Sequence, residues 1–455
     1  MKKITILLLA IPFIVNAQTN TDSVFIKKVS DEILTNGKAY DLLYQLTKQV
    51  GGRLAGSPQF IKACFWGKVA MQQNGADTVY LQECKVPHWV RGTGDKVLIV
   101  EQNKKPVNIS LDALALGNAL GNGKPVVAEV IALKNFDELE KRRNEIKGKI
   151  VFFNYPFNPT YIVPGRAYGE SGVYRHSGAS RAAKYGAVAV LIRSLTEATD
   201  NNPHTGAMKY DSAYEKIPAA SLGLKDADKL WNECSKSSVK ISITMHGKQL
   251  PDTTGYNVIA ELKGTEFPDQ YITIGGHLDS WDVNEGAHDD GAGVVHTIEV
   301  MRALKALNYY PKHTIRFVLF ANEENGLRGG EKYAEIAKAK NEKHIFALES
   351  DEGGFTPRGF GFTVSPAQYQ KVLIWQPLLK PYGASDFQFG GGGADIGPLG
   401  RTFKTPMAGL NPDNQRYFDV HHARSDVFEN VNKRELLLGA INMAGLVYLI
   451  DQYGL

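Results

Sequence analysis

Cysteine is scarce. The 455 residues hold three, Cys64, Cys84 and Cys234, odd in number, spread over 170 positions and never spaced Cys-x-x-Cys. That excludes a disulfide scaffold, a zinc ribbon and a dithiol redox motif. At most one pair can close, Cys64 and Cys84 being merely the nearest in sequence, and buried small hydrophobes are an equally good reading. An excess of one charge is lacking too: 52 Lys and Arg oppose 48 Asp and Glu, a formal +4. With no basic run interleaved with aromatics, nothing argues for nucleic acid or an anionic membrane as partner. Past the first residues no stretch reaches about 18 apolar residues, so no retained membrane anchor is expected. What is present is ordinary: 43% hydrophobic and 22% charged residues exclude a disordered chain, and the length predicts about two or three domains.

The N-terminus carries a processing signal. Lys2 and Lys3 precede an apolar stretch from Ile4 to Val15 and a small-residue junction, Val15-Asn16-Ala17. A charged region, an apolar core and such a junction predict export to the periplasm or medium, with cleavage after Ala17. Loss of two lysines leaves 50 basic against 48 acidic residues, a mature charge of +2.

From Thr21 to about Gln73 apolar positions recur at helical spacing, broken by a loop at Gly51 to Pro58. Strand-like runs follow at Asp77 to Tyr80 and Lys96 to Glu101. Residues from about Val126 to Ile243 read as a separate unit: strands at Val126 to Leu133, Lys149 to Phe153 and Ala187 to Ile192, a helix at Ser177 to Lys184, and a polar loop at Thr196 to Thr205. This unit holds no clustered imidazoles or carboxylates, so shape rather than chemistry is its expected contribution.

Beyond Tyr256 three apolar strands each end in a polar cluster. Tyr271 to Ile274 leads to Gly275-Gly276-His277-Leu278-Asp279, Thr314 to Phe320 to Asn322-Glu323-Glu324, and His344 to Leu348 to Glu349-Ser350-Asp351. Helical patterns at Gly293 to Leu307 and Gly329 to Ala339 separate them, which predicts an α/β fold with a mixed, mostly parallel sheet flanked by helices. Sites on such sheets lie beyond the carboxyl ends of the strands. A Gly-rich turn, Gly286 to Gly293, adds Asp289, and Val420 to Asp426 adds His421 and His422. Two imidazoles and three carboxylates suffice for two divalent ions about 3.5–4 Å apart if one carboxylate bridges. Nitrogen and oxygen donors without thiolate suit zinc best, with manganese or cobalt as substitutes. Each cluster alone has a plainer reading as a surface pair or turn residue. Together, acids gathered at a buried strand end without a cation would carry a heavy desolvation and repulsion cost.

The ordered phrases Gly275 to Asp282, Gly286 to Gly293, Asn322 to Gly329, Glu349 to Gly353 and His422 to Asp426 resemble the signature of the co-catalytic zinc exopeptidases. That family groups bacterial leucyl aminopeptidases with glutamate carboxypeptidases, and the first and fourth phrases are especially similar to its plasma glutamate carboxypeptidase branch. The resemblance is strong over 256–430. It implies the zinc exopeptidase fold with an inserted protease-associated domain, which the Lys147 to Val151 phrase resembles. The division then runs 1–17 signal peptide, 18–122 first catalytic part, 123–245 insert and 246–455 second catalytic part. It further implies that His277 and Asp351 hold one zinc, Glu324 and His422 the other, and that Asp289 bridges them. Glu323 matches the general base, and Asp279 the carboxylate that orients the His277 ring. Where many relatives carry Ser-Asp-His, this chain has Ala394-Asp395-Ile396, leaving Asp395 as a substrate-binding candidate.

A metal-bridging water, made nucleophilic near neutral pH, and Glu323 as proton relay would hydrolyse peptides. An inactive receptor or scaffold on the same fold is the alternative of another class, but all five ligand positions and the base keep their chemistry. Selection of the amino or carboxyl end is not fixed by the sequence. An insert that starts and ends near the catalytic segments should enclose the cleft, favouring small peptide substrates. Asp395 and the carboxylates around the metals could take a substrate ammonium, and Arg401, Arg416 or Arg424 a carboxylate. A homodimer is left open.

Overall fold

The computed structural model describes residues 18–455, and the leader expected at 1–17 lies outside them. Two eight-stranded sheets carry the chain. The first has parallel strands at its centre, Phe267–His277, His313–Phe320, Lys343–Glu349 and Met407–Pro412. Thr78–Val90 and Lys248–Leu262 complete one edge, Pro357–Thr363 and Asp386–Phe389 the other. The three strands expected from sequence are present, the first longer by four and three residues at its ends, the second by one at its start and the third by one at each end.

The central strands are mostly apolar because both faces are covered, with Thr273 and Arg316 as buried polar exceptions. In His313–Phe320, Ile315, Phe317 and Leu319 enter the core beneath helices Gln18–Asn36, Ala292–Ala306 and Lys433–Tyr453, while Val318 and Phe320 meet Arg328–Ala339 and Gly397–Phe403. The alternation is the strand's two-residue period, and it fixes the register. Helix Lys433–Tyr453 is long and apolar enough by length and composition to cross a membrane, although no such stretch stands out when unbroken apolar runs are sought. Its most apolar window is 83% buried, with Leu436, Ile441, Leu446 and Leu449 inside the main core. Core packing therefore accounts for its hydropathy.

The second sheet has a parallel centre, Val126–Leu133, Ile150–Phe153, Ala189–Arg193 and Ala219–Leu222, with helices Pro164–Ala183 and Leu224–Lys236. Its membership starts earlier than the boundary at 123 expected from sequence. Lys96–Gln102 pairs with Val239–Thr244 and with Lys105–Leu111, so 96–111 is hydrogen-bonded into this sheet. Alternating apolar residues such as Val97 and Ile99 satisfy either sheet, and only the pairing partner tells them apart. All three thiols are free: Cys64 and Cys84 are buried, Cys234 partly so.

Candidate metal centre

The site lies where the parallel strands of the first sheet end. His277 closes its strand, and Asp351 stands two residues after Glu349, the last residue of the neighbouring strand. Glu323 and Glu324 follow the third strand, which ends at Phe320. Asp289 sits in the turn before helix Ala292–Ala306, and its peptide to Asp290 is cis. His422 follows the short helix Tyr417–Val420 with a left-handed φ of 60°.

These side chains converge. His277 Nε2 is 3.1 Å from Asp289 Oδ1 and 3.0 Å from Asp351 Oδ1. His422 Nε2 is 3.2 Å from Asp289 Oδ2 and 3.1 Å from Glu324 Oε2. Two donors of one tetrahedral zinc shell, each about 2.0–2.2 Å from the ion, lie about 3.3 Å apart, close to all four separations. Asp289 Oδ2 and Glu324 Oε2 are buried without a hydrogen-bond partner, although both face His422 Nε2 at ion-pair distance. At His422 the donor atoms approach one another, but not along hydrogen-bond directions. Buried acceptors left so are costly for a protein alone and are relieved by a cation.

The charges point the same way. Burial pushes the carboxyls of Glu323, Glu324 and Asp351 up, and neighbouring acids add to it. Burial acts on Asp289 too, but the His277 and His422 imidazoles outweigh it and hold that carboxyl well below its usual range. The carboxylate between the two imidazoles is therefore favoured in its charged form, the form in which a carboxylate binds metal. The donor set fits divalent metal.

Donors of Asp290 and His421 also lie close enough for metal, but backbone N–H groups occupy Asp290, and His421 stands farther from Asp289 than His422 does. Asp290 uses both oxygens on backbone, accepting His277 N at 2.9 Å and Gly293 N at 2.8 Å. His421 Nε2 stands 3.6 Å from Asp289 Oδ2, and its ring stacks on His422 with centroids 3.6 Å apart. Burial and His422 push its pKa well down.

The structure changes the roles expected for two residues. His277 Nδ1 meets the backbone carbonyl of Asp279 at 3.0 Å, whereas the Asp279 carboxylate is 3.8 Å away. That carboxylate accepts Glu323 N at 3.0 Å and Glu324 N at 3.4 Å. It therefore places Glu323 and Glu324, while the carbonyl of the same residue orients the ring. Asp395 is fully buried and lies outside the cleft lining. Burial and the nearby Glu349 push its carboxyl well up, and its place away from the cleft lining gives no support to the expected ammonium contact.

Three supports escaped the sequence reading or were left undecided by it. Asp426 accepts His288 N at 2.7 Å and Asp289 N at 3.1 Å, fixing the turn of Asp289, and Asp290 does the same for its other end. Arg53, from the loop read only as a chain break, is fully buried and donates to the carbonyls of Leu278, Glu285 and Gly286 at 2.6, 2.7 and 3.0 Å. A lone arginine between glycines gives no periodic signal, and the contact spans more than 220 residues.

A cleft of about 1010 Å³ opens over the centre. Its floor includes Asp289, Glu323, Glu324 and Asp351, and the second-sheet unit contributes Tyr168, Arg175, His176, Lys209 and Lys216. None of the arginines expected to meet a substrate carboxylate lines it. Arg416 pairs with Glu435 and Arg424 with Asp112, and Arg401 lies on the short helix Gly397–Phe403.

Comparison with known proteins agrees with this geometry. The model of peptidase family M28 matches residues 257–447. Carboxypeptidase Q of Mus musculus is 34% identical over 91% of this chain and 85% of its own length, and that of Xenopus laevis 37% over 87% and 82%. A solved peptidase M28 precursor from Shewanella amazonensis has a TM-score of 0.89 and 32% identity, covering 95% of this chain and 97% of its own. The zinc aminopeptidase BSAP from Bacillus subtilis shares the fold, with a TM-score of 0.66 and 20% identity over 90% of this chain and 94% of its own. Near-full-length identity above 30% and an agreeing fold lead to one conclusion: the chain belongs to peptidase family M28 and is a metallo-exopeptidase.

Proposed function

We propose that the protein is an exported exopeptidase that holds two zinc ions and hydrolyses free dipeptides and other short peptides. One observation carries this reading: Asp289 turns one oxygen to each of two imidazoles, at 3.1 and 3.2 Å, and each imidazole has its own second acid, Asp351 or Glu324. His277 and Asp351 would hold one ion, Glu324 and His422 the other, with Asp289 between them. Manganese and cobalt suit the same donors. When bound, the ions supply Lewis-acid polarisation of the scissile carbonyl and make water acidic enough to attack near neutral pH.

The chain's own groups do the rest. Glu323 lines the cleft and takes the proton of the attacking water at its carboxylate, then gives it to the leaving amine. Asp279 fixes where that carboxylate starts by holding its backbone N–H. The second-sheet unit, in this reading a protease-associated domain, supplies the cationic wall of Arg175, Lys209 and Lys216 opposite the acidic floor. A free dipeptide has one terminus of each sign within a short length and so matches both surfaces. The leader at 1–17 delivers the chain for export.

Elemental analysis should find about two zinc ions per chain, and a chelator should abolish turnover. Free dipeptides should be cleaved faster than analogues blocked at either end. Internal fragments from denatured casein with no cleavage of dipeptides would overturn the substrate assignment, and one ion or none would overturn the dinuclear one.

A further inference from the structure

We propose that the second-sheet unit positions the ligand of one metal site and leaves the other site to the first-sheet unit alone, an inference that rests on the dinuclear reading above. The two ligand imidazoles are oriented from different parts of the molecule. His277 is held within its own unit, by the Asp279 carbonyl at Nδ1 and by Asp290 at its backbone N–H. His422 is held from across the boundary. Its Nδ1 lies 3.4 Å from the carbonyl oxygen of Thr205, and its own carbonyl accepts the Thr205 N–H at 2.9 Å.

A histidine that ligates through Nε2 carries its proton on Nδ1, and the partner of that proton sets the ring's orientation. The partner is the Thr205 carbonyl. Arg175, also from the second-sheet unit, brings Nη1 to 3.5 Å from both that oxygen and the ring nitrogen. A guanidinium only donates, so it shares the oxygen and does not compete for the ring.

The loop that offers this carbonyl is tied down. Thr205 Oγ1 donates to Ala115 O at 2.9 Å, Gly117 N to Gly206 O at 2.9 Å and Met208 N to Gly117 O at 2.9 Å. Gly206 has a φ of +130°, and a Cβ there would stand 2.7 Å from His422 Nδ1 and 2.4 Å from Arg175 Nη1. Backbone and ring are thus in direct contact. His422 itself has a left-handed φ of 60°, an uncommon conformation for a residue with a β-carbon and one that surrounding bonds help to hold. Thr205 bonds both its carbonyl and its ring.

Two consequences follow. Disturbing the loop at 205–206 should weaken the position of Glu324 and His422 and spare that of His277 and Asp351. By reciprocity, filling the site should steady the loop. The test titrates zinc into chelator-stripped wild type, Gly206→Ala and Gly169→Ala. The last is a control within helix Pro164–Ala183 whose new Cβ meets nothing within 4 Å. Wild type and control should each bind two ions, while Gly206→Ala binds one as before and the second about 10- to 100-fold more weakly. Amide exchange in wild type should slow at 205–208 when zinc is added, a measurement that decides the matter even where Gly206→Ala fails to fold. Unchanged binding of both ions by Gly206→Ala, equal weakening of both, or exchange at 205–208 indifferent to zinc would overturn the proposal. A wild-type chain that takes up one ion would overturn the dinuclear reading beneath it.

Discussion

Replacing Arg53 with methionine removes a guanidinium buried beneath the centre while keeping most of its volume. Its three acceptors bracket the site: Leu278 follows His277, and Glu285 and Gly286 lead into the turn of Asp289. Burial lowers the pKa of this guanidinium, and the carboxylates of Asp426, Asp279, Asp290 and Glu324 oppose that shift. The cation therefore neutralises acids as well as bonding carbonyls. The Gly286 carbonyl keeps the Gly291 N–H at 3.0 Å, so two acceptors are left unsatisfied, which at about 1–3 kcal/mol each amounts to about 2–6 kcal/mol. Relief of the buried guanidinium's own desolvation offsets part of this, which sets the expectation near the lower end, about 2–4 kcal/mol. Urea unfolding of the zinc-free Arg53→Met chain against wild type measures it. Arg53→Lys should recover little, since a compact ammonium cannot span three carbonyls as a planar fork does. A loss under about 1 kcal/mol in the methionine variant would refute the idea that Arg53 holds the two ligand loops together.

Glu323→Gln should lower turnover about 10²- to 10⁴-fold while zinc content stays at the wild-type value, and Glu324→Gln should lose zinc; the reverse pattern in elemental analysis would exchange their roles. His422→Ala should lose one ion and His421→Ala none, because only the former reaches both Asp289 and Glu324. Burial pushes the Glu342 carboxyl up, but hydrogen bonds from His344 and Arg316 outweigh this and hold it down at about 2. Its stabilisation is thus complete above the unfolded pKa of about 4.3 and fades as pH falls towards 2. Arg316→Leu should flatten that acid limb in urea titrations at stepped pH, and parallel wild-type and variant curves would contradict it. The intact mass of the exported chain should begin at Gln18, and retention of 1–17 would refute the cleavage site.

The ends of three strands were legible because strand geometry converts sequence into place. A buried parallel strand is an apolar run, its carboxyl end points to the site edge, and the first polar residues after the run stand there. Thus His277, Glu323, Glu324 and Asp351 could be placed together from sequence. Their exact partners could not. Whether Asp279 turns its carboxylate or its carbonyl to the His277 ring depends on backbone torsions after the strand, and both arrangements share one sequence. The same limit applies to Lys96–Gln102, whose alternation suits either sheet until its pairing with Val239–Thr244 is known.

The second-sheet unit shows a deeper limit. Its sequence lacks ligand-type clusters, which supported a role in shape alone. Yet its contribution to the centre includes a backbone carbonyl at Thr205 and the absence of a side chain at Gly206. Neither leaves a chemical mark in the sequence, because every non-terminal residue carries a carbonyl, and a glycine records only that some close approach or positive φ is needed, not where. Side-chain ligands can be counted from a sequence, whereas the groups that aim them are often backbone. A site assembled from two units is therefore legible in the unit that binds metal and silent in the unit that orients it.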